Sequence, residues 1–431
     1  MKEHSDARTV RERKNYLLVL WGVGVSRLAH YLFSFAIGLY ILKQTGSAQS
    51  FAMTVCISLL PTALLSPVVG ALADRISKKL LIVGADFLNA LVMFGVFVYA
   101  LNSPISVGAA YLATFLLAVL DPFVAITFTS AIPRLVEEPT APKLVSMKSA
   151  VESVIQIAAP IIGGAVYATI DMRIFVLLAG VSFLLSGISE LFIDYRFRPV
   201  VQEEQAEKPR ESMLASMADG ARFLCSKAYL VATAAFALII NFLFSGFNVL
   251  FPYAMLHTLG LSEASYGVVM GAIPVGTLLG ALFLSKRNLR LTRTLVARVV
   301  LGFAVTCMLM ALPLALSMRG ELLVSAFYCV VTLSIGLLCA MINITASVFF
   351  QSVVPGELLG RVSGLFSMVA MLVMPVGVLM FGTLADHIRP AYLFAASGVG
   401  MLITAAAAAR ARALDNAYEP RDAGITGEAA A

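Results

Sequence analysis

Charged residues are scarce in this chain. Asp, Glu, Lys and Arg make up only 13% of its 431 residues, whereas soluble domains usually carry about 25%. Because 60% of the residues are hydrophobic, the chain lacks the polar surface that a water-soluble fold requires. We therefore expect an integral membrane protein. No polar stretch is long enough to form a soluble catalytic domain, which argues against an enzyme.

Several functional signals are also absent. The sequence has no Gly-x-x-x-x-Gly-Lys-Ser/Thr loop, so we expect no ATP hydrolysis by this chain. Its five cysteines include no Cys-x-x-Cys pair, and four of them lie in apolar runs that are typical of buried small side chains. We expect no disulfide, no metal and no cofactor. The basic residues form short clusters between apolar segments, which suits loops that face anionic lipid better than a surface for nucleic acid.

Twelve apolar runs have the length of about 20 residues that a membrane-spanning helix needs. They predict an all-α integral membrane protein whose twelve transmembrane helices form two pseudo-symmetric six-helix bundles. The first run, from residue 16 to about 40, is too long for a signal-peptide core and is expected to remain as the first spanning helix. The predicted segments are an N-terminal arm (1–15), a first bundle (16–193), a central loop (194–228) with an amphipathic helix at about 212–224, a second bundle (229–410) and a disordered tail (411–431).

The distribution of Lys and Arg predicts the orientation. Most of these residues fall in loops on the side of the N-terminus, and few fall on the other side, at Lys43, Arg173, Arg319 and Arg389. Cytoplasmic loops carry the excess of positive charge. Both termini are therefore expected in the cytoplasm, and the chain in a bacterial plasma or inner membrane, as a monomer in the lipid bilayer.

The two halves share a spacing. Pro160 precedes Asp171 by eleven residues and Pro375 precedes Asp386 by eleven, with glycines in between in both halves. This repetition predicts a parallel duplication of six helices, an arrangement found in many secondary transporters.

A basic turn, GALADRISKK, joins the second and third apolar runs. This turn and the six-plus-six organisation resemble the major facilitator superfamily. The segments QTGSAQS, AIPRLVEE and VPGELLGRVSGLF are similar to its macrolide-efflux and siderophore-exporter branch. The resemblance implies that the turn latches the two halves together on the cytoplasmic side, whereas the alternative is local neutralisation of the lysines by the aspartate. The residues of this predicted cytoplasmic gate are Gly70, Asp74, Arg75, Lys78 and Lys79.

Ionisable residues inside the membrane are candidates for the mechanism, because a charge at the bilayer centre costs at least about 2.5 kcal/mol. Arg27 lies near the middle of helix one and Asp121 just past the middle of helix four. The resemblance implies that both helices line the central cavity, so we expect the two side chains to face each other. In the alternative, Asp121 caps a helix that starts after Pro122. Glu152 either joins this charged core or pairs with Lys148, one turn earlier.

Other polar residues predict the walls of a substrate cavity. His30 is a further candidate for proton coupling, since imidazole titrates near neutral pH, although a lone histidine is often a packing residue. Asn241 and Asn248 are seven apart and so share a helix face. The predicted lining residues are Tyr31, Gln156, Asn241, Asn248 and Asn343.

Helix five contains Ala-Pro-Ile-Ile-Gly-Gly, which resembles the Gly-Pro-x-x-Gly-Gly motif of antiporters in this superfamily with alanine in place of the first glycine. Pro160, Gly163 and Gly164 are expected to bend this helix, and Pro375 and Gly377 the corresponding helix of the second half; the alternative is a kinked packing helix. Proton-driven exporters of the superfamily often carry an arginine in helix four, yet residues 106–132 contain no basic residue. Arg27 is expected to supply that charge.

These observations predict a secondary active transporter. It would export amphipathic or hydrophobic compounds, drug-like or siderophore-like, in exchange for protons, with two halves that rock to give alternating access. One alternative is an uptake symporter for a small polar or anionic solute, with Arg27 as its partner. Another is a non-transporting lipid-handling or scaffold protein.

Asp86 and Glu190 lie near the cytoplasmic ends of their helices. Both are interpreted as charges at the membrane edge.

Overall fold

A computed structural model describes five parts of the chain, 2–195, 197–198, 213–285, 290–318 and 320–415. Much of the predicted central loop (199–212), Arg319 and nearly all of the predicted tail (416–431) lie outside the described residues. The side chain of Asp74, the acidic residue of the predicted gate, lies outside them as well.

The described residues fold entirely into helices and connecting turns. Within the described residues, twelve helical segments are long and apolar enough to cross a membrane, and one of them (Ala228–Thr258) ends in a π-helix (Tyr253–Thr258). This confirms the predicted all-α membrane fold. The α-helices are α1 (Lys2–Thr45), α2 (Ala48–Arg75), α3 (Lys78–Asn102), α4 (Val107–Leu135), α5 (Ala141–Thr169), α6 (Met172–Leu191), α7 (Met213–Ser226), α8 (Ala228–Ser245), α9 (Phe247–Pro252), α10 (Glu263–Leu284), α11 (Arg293–Ala315), α12 (Glu321–Val353), α13 (Gly356–Ala385) and α14 (Pro390–Arg410).

The first helix is longer than its apolar run. It begins at Lys2, so most of the predicted N-terminal arm continues the helix instead of preceding it. A hydropathy window detects only the apolar part of a helix, while the backbone ladder continues beyond it. Asn15 anchors this extension, because its amide donates to the carbonyl of Leu135 (2.9 Å) and accepts from the N–H of Asp194 (2.9 Å).

The same helix pairings occur in both halves. In the first half, α2 packs on α4, α3 on α6, and α1 on α5. In the second half, the corresponding helices pair as α10 with α12, α11 with α14, and α8 with α13. This agreement confirms the two pseudo-symmetric six-helix bundles.

Among the described residues, the halves meet mainly through two corresponding helix pairs, α5 with α10 and α2 with α13, and α2 also contacts α9. Small residues allow these backbones to approach closely. A side chain at Gly164 would meet the backbone of Glu263, one at Gly267 would meet the Pro160 carbonyl, and one at Gly382 would meet Ala52. These contacts lie toward the end of the bundle that holds the α1–α2 and α13–α14 turns, which we name the distal end. The opposite end, where α1 begins and α14 ends, is the terminal end.

The amphipathic helix predicted at about 212–224 is present as α7 (Met213–Ser226). It packs against α13 and α8. Asp219 lies 3.8 Å from the guanidinium of Arg361, and Gly220 faces the Arg361 backbone.

The seventh membrane-spanning segment, which begins with α8, is less regular than the single apolar run that the sequence predicts. It continues beyond Pro252 as a π-helix, a rare form that is frequent at functional sites.

Candidate functional site

An ion pair joins α1 and α4 inside the first half. Nη1 of Arg27 donates a hydrogen bond to Oδ1 of Asp121, and the side chains are 12% and 17% exposed. The structure thus brings together the two residues that the sequence analysis places face to face. The alternative for Asp121 is wrong, because α4 runs without interruption through Pro122 and leaves no helix start there to cap.

Three further ionisable groups surround this pair. Nε2 of His30 lies 3.9 Å from Oδ1 of Asp121, and Nε of Arg27 lies 3.9 Å from Oε1 of Glu152. Nζ of Lys148 lies 2.9 Å from the same Glu152 oxygen, so both interpretations of Glu152 hold at once. We call these five residues the polar core.

The polar core is balanced in charge. Two cations face two carboxylates when His30 is neutral, which lowers the cost of holding charge inside a membrane protein. Tyr31 and Gln156 extend the polar core along α1 and α5, where the Tyr31 hydroxyl is within hydrogen-bonding reach of Gln156. One added proton would leave the cluster with an excess positive charge.

A cavity of about 290 Å³ lies in the second half, between α8, α11, α12 and α13. Ligand sites are typically apolar clefts with a few polar groups. This cavity has that character, with Asn241 and Asn343 among apolar and aromatic side chains. Asn248 lies on α9 and is not among the lining residues. The aromatic part of the wall comprises Phe236, Phe244, Phe303 and Phe366.

The lysines of the predicted cytoplasmic gate contact the first half. Nζ of Lys78 donates to the Ala73 carbonyl (3.3 Å) and to the Ser130 hydroxyl (2.8 Å). Nζ of Lys79 donates to the carbonyl of Leu191, at the end of α6 (2.6 Å). Cations are favourable at helix C-termini, so these contacts fix the turn to its own bundle. Arg75 is exposed and the latch between the halves stays a prediction.

The distal end holds a connection that the sequence analysis does not predict. The carboxylate of Asp386 accepts hydrogen bonds from the Ser47 hydroxyl (2.7 Å) and from the N–H groups of Ala48 (2.7 Å) and Gln49 (3.3 Å). Asp386 follows α13 in the second half, yet it caps the N-terminus of α2 in the first half. Asp171, its counterpart in the repeat, instead caps its own helix α6.

A second distal contact joins α1 to α10, where Nζ of Lys43 lies 2.7 Å from Oε1 of Glu263. At the terminal end, Gly70 on α2 and Gly364 on α13 have open space where a side chain would be. The described contacts of Asp386 and Lys43 therefore join the halves at the distal end, whereas these two glycines meet no described neighbour.

The predicted bending residues lie at helix interfaces. Gly163 faces Phe35 of α1, and Gly164 faces α10. The thiol of Cys56 lies 3.3 Å from the carbonyl of Pro375, and Gly377 faces Ser245 of α8. α5 and α13 each continue past their prolines, and bending at these sites stays a prediction.

A family model described as Major Facilitator Superfamily matches residues 19–378 and 234–430. The chain belongs to the Major Facilitator Superfamily. Macrolide efflux protein A of Streptococcus pyogenes is 23% identical over 88% of this chain and 91% of its own length. The enterobactin exporter EntS of Escherichia coli O1:K1 is 26% identical over 78% of this chain and 76% of its own length. Among solved structures, a mutant of the nucleoside transporter NupG superposes with a TM-score of 0.73 and 13% identity, over 92% of this chain and 99% of that one.

This Major Facilitator Superfamily member is thus a multi-pass membrane transporter and not an enzyme. One prediction about its charged residues is wrong. Asp86 and Glu190 are not edge charges, because both side chains are completely buried between α1, α3 and α6. Glu190 fits there because Gly22 of α1 has no side chain, and a Cβ at Gly22 would lie 3.0 Å from the Glu190 carboxylate.

Proposed function

We propose that this transporter exports amphipathic or hydrophobic small molecules, drug-like or siderophore-like, in exchange for inward-moving protons. The observation that carries the proposal is the Arg27–Asp121 pair, which is partly accessible and surrounded by further ionisable groups. The efflux and export functions of the two relatives support the direction of transport.

Proton exchange follows from the charge balance of the polar core. A proton on Asp121 removes the negative partner of Arg27 and leaves an excess positive charge. A cationic or strongly dipolar substrate is then disfavoured nearby, and it binds again once the proton has left. Proton and substrate therefore compete for one charge state, and this competition couples their movements.

The cavity of the second half supports an amphipathic substrate. Its aromatic and aliphatic wall suits an apolar body, while Asn241 and Asn343 supply two amide groups for hydrogen bonds. Such a wall discriminates weakly between apolar shapes, because a methylene group in a hydrophobic pocket changes affinity by only about 1–3 kcal/mol. We therefore expect several substrates instead of one.

We place the terminal end on the cytoplasmic side of a bacterial plasma or inner membrane. The excess of Lys and Arg at that end favours this orientation. In this orientation the polar core would be reached from the cytoplasm, and the closed distal end would face the outside. Rocking of the two bundles, as a monomer, would break the contacts of Asp386 and Lys43 and open the opposite side.

The uptake alternative is less well supported. An anionic solute would need the positive charge of Arg27, and that charge is already paired with Asp121. A non-transporting scaffold predicts that neutralising Asp121 leaves every flux unchanged.

The test is a growth screen of expressing cells against a broad compound panel, with and without a protonophore. We expect wild-type expression to raise tolerance to some compounds and the protonophore to abolish the gain. Asp121→Asn should lower tolerance to that of the empty vector. Asp171→Asn is the matched control. The Asp171 carboxylate is 64% exposed at the distal end, so this variant should keep wild-type tolerance. Normal tolerance and efflux in Asp121→Asn cells would exclude the assigned role.

A further inference from the structure

A second acidic cluster lies apart from the polar core. Asp86 of α3 and Glu190 of α6 have no exposed surface. The Ser26 hydroxyl donates to Oδ1 of Asp86 (3.0 Å), and the Ser186 hydroxyl lies 3.2 Å from Oε1 of Glu190. We call Asp86 and Glu190 the carboxyl pair.

The carboxyl pair and its neighbours have more acceptors than hydrogens. Oδ2 of Asp86 and Oε2 of Glu190 have no hydrogen-bond partner among the described residues. Oδ1 of Asn89, one turn after Asp86 and only 3% exposed, also has none. The single hydrogen of Ser186 is divided, since its oxygen also lies 3.0 Å from the Gly22 carbonyl. Because a protonated carboxyl group is both donor and acceptor, one proton would satisfy its own oxygen and a neighbouring acceptor together.

The charges around the pair do not neutralise it. Neither carboxylate forms a salt bridge with a basic side chain of the described residues. The positive charge of Arg27 on α1 attracts the Asp86 carboxylate, but Arg27 is already paired with Asp121 of α4. Lys78, two turns before Asp86 on α3, is held by Ala73 and Ser130.

On the α6 side, the titratable group that faces the pair is the phenol of Tyr195, which follows that helix. Burial, together with the charges of Glu190 and Asp86, raises the pKa of Tyr195, so its hydroxyl keeps its proton. It therefore adds at most one donor and no positive charge. Two unpaired carboxylates at one buried site repel each other, and one of them is expected to hold a proton.

We propose that Asp86 and Glu190 form a second proton-binding site, which holds one proton between α3 and α6 and exchanges it with the polar core. Ser26, which donates to Asp86, directly precedes Arg27 on α1. When Asp121 takes the proton from the pair, Arg27 loses its partner and its charge acts more strongly on Asp86, which keeps the pair deprotonated until Asp121 releases the proton. This exchange rests on the proposed proton antiport, whereas proton binding by the pair does not.

The test is infrared spectroscopy of the purified full-length protein in sodium-free buffer, titrated from about pH 4 to about pH 9, around and above the ordinary range of carboxylic acids. We expect a carbonyl band of a protonated carboxyl group that disappears as the pH rises. Asp86→Asn or Glu190→Gln should remove this band. Asp171→Asn, which alters an exposed carboxylate, should keep it.

Three outcomes would overturn the proposal. The band does not change with pH, which indicates permanently neutral structural acids. The same band persists in both variants, which assigns it to other groups. Added sodium abolishes the band in wild-type protein, which identifies a metal cation as the ligand.

If Asp86→Asn does not fold, Ser26→Ala provides a milder change, because it removes one hydrogen-bond donor and leaves both carboxyl groups in place. It should move the midpoint of the titration, and an unchanged midpoint would contradict the site. A titrating band in protein whose cells show no efflux would reject the proposed export function and leave the proton site standing. Efflux without such a band would do the reverse.

Discussion

Replacing Asp386 by alanine should open the distal end. The carboxylate caps α2 from the other half of the molecule, so its three hydrogen bonds exist only while the halves are closed there. Any other conformation leaves the first N–H groups of α2 to water. The substitution therefore weakens the closed state without removing a contact from the open one.

The magnitude follows from the capping geometry. Loss of a capping side chain costs about 0.5–2 kcal/mol, and a negative charge at a helix N-terminus contributes about 0.3–1 kcal/mol. Since Asp386 is exposed, we take a total of about 1–2 kcal/mol, which shifts the ratio of closed to open molecules by about 5–30-fold. Asp386→Asn keeps an oxygen acceptor and loses the charge, so its shift should be smaller.

The assay is a distance measurement between spin labels on cysteines that replace Asn102 at the end of α3 and Leu322 at the start of α12. Both positions are exposed, at the distal end of different halves. The native cysteines are replaced first. Asp386→Ala should increase the population at long distance.

Asp171→Ala is the matched control for this measurement. It removes an aspartate at the same position of the repeat, but one that accepts a hydrogen bond from the Arg173 N–H (2.7 Å) within its own half. This variant should lose stability and keep the wild-type distances. Equal distance distributions in the two alanine variants would show that Asp386 does not hold the distal end closed.

Two further predictions concern the same closure. In Gly267→Ala, the new methyl group meets the Pro160 carbonyl. Overpacking costs about 1–3 kcal/mol, so the same spin labels should show more open molecules. Gly84→Ala is the control, because the structure leaves open space there, and it should not change the distances. The Lys43–Glu263 pair is exposed on the lysine side and worth about 0.2–1 kcal/mol; a double-mutant cycle with Lys43→Gln and Glu263→Gln should show a coupling that high salt removes, and a coupling independent of salt would contradict it.

The helix count, the two halves and the contact between Arg27 and Asp121 were all predictable from the sequence. Length and hydropathy determine which segments can cross a bilayer. An isolated charge in such a segment needs a partner, and these two residues lie at similar depth. The repeated Pro–Asp spacing likewise predicted the duplication that the helix pairings show.

The buried position of Asp86 and Glu190 could not be predicted in the same way. Both residues lie near the end of an apolar run, where a carboxylate usually reaches water. They are covered because Ser26 of α1 packs on Asp86 and because Gly22 of the same helix leaves room for Glu190. Both conditions depend on how three helices pack. The same holds for Asp386. Its repeat spacing can be seen in the sequence, whereas its hydrogen-bond partners in the other half of the molecule cannot.

The capping of α2 by Asp386 has a consequence for the two halves as separate pieces. The start of α10, which corresponds to α2, is served within its own half, since Glu321 accepts hydrogen bonds from the N–H of Ser262 (3.0 Å) and the hydroxyl of Ser265 (2.7 Å). Divided in the central loop and co-expressed, the second fragment contains every cap that α10 needs. The first fragment keeps the Ser47 hydroxyl, which accepts from the Ser50 N–H (3.2 Å), and lacks the carboxylate that accepts from the N–H groups of Ala48 and Gln49. Neutralising Asp386 in the second fragment should therefore weaken complementation, and the two halves of this duplicated chain are no longer interchangeable.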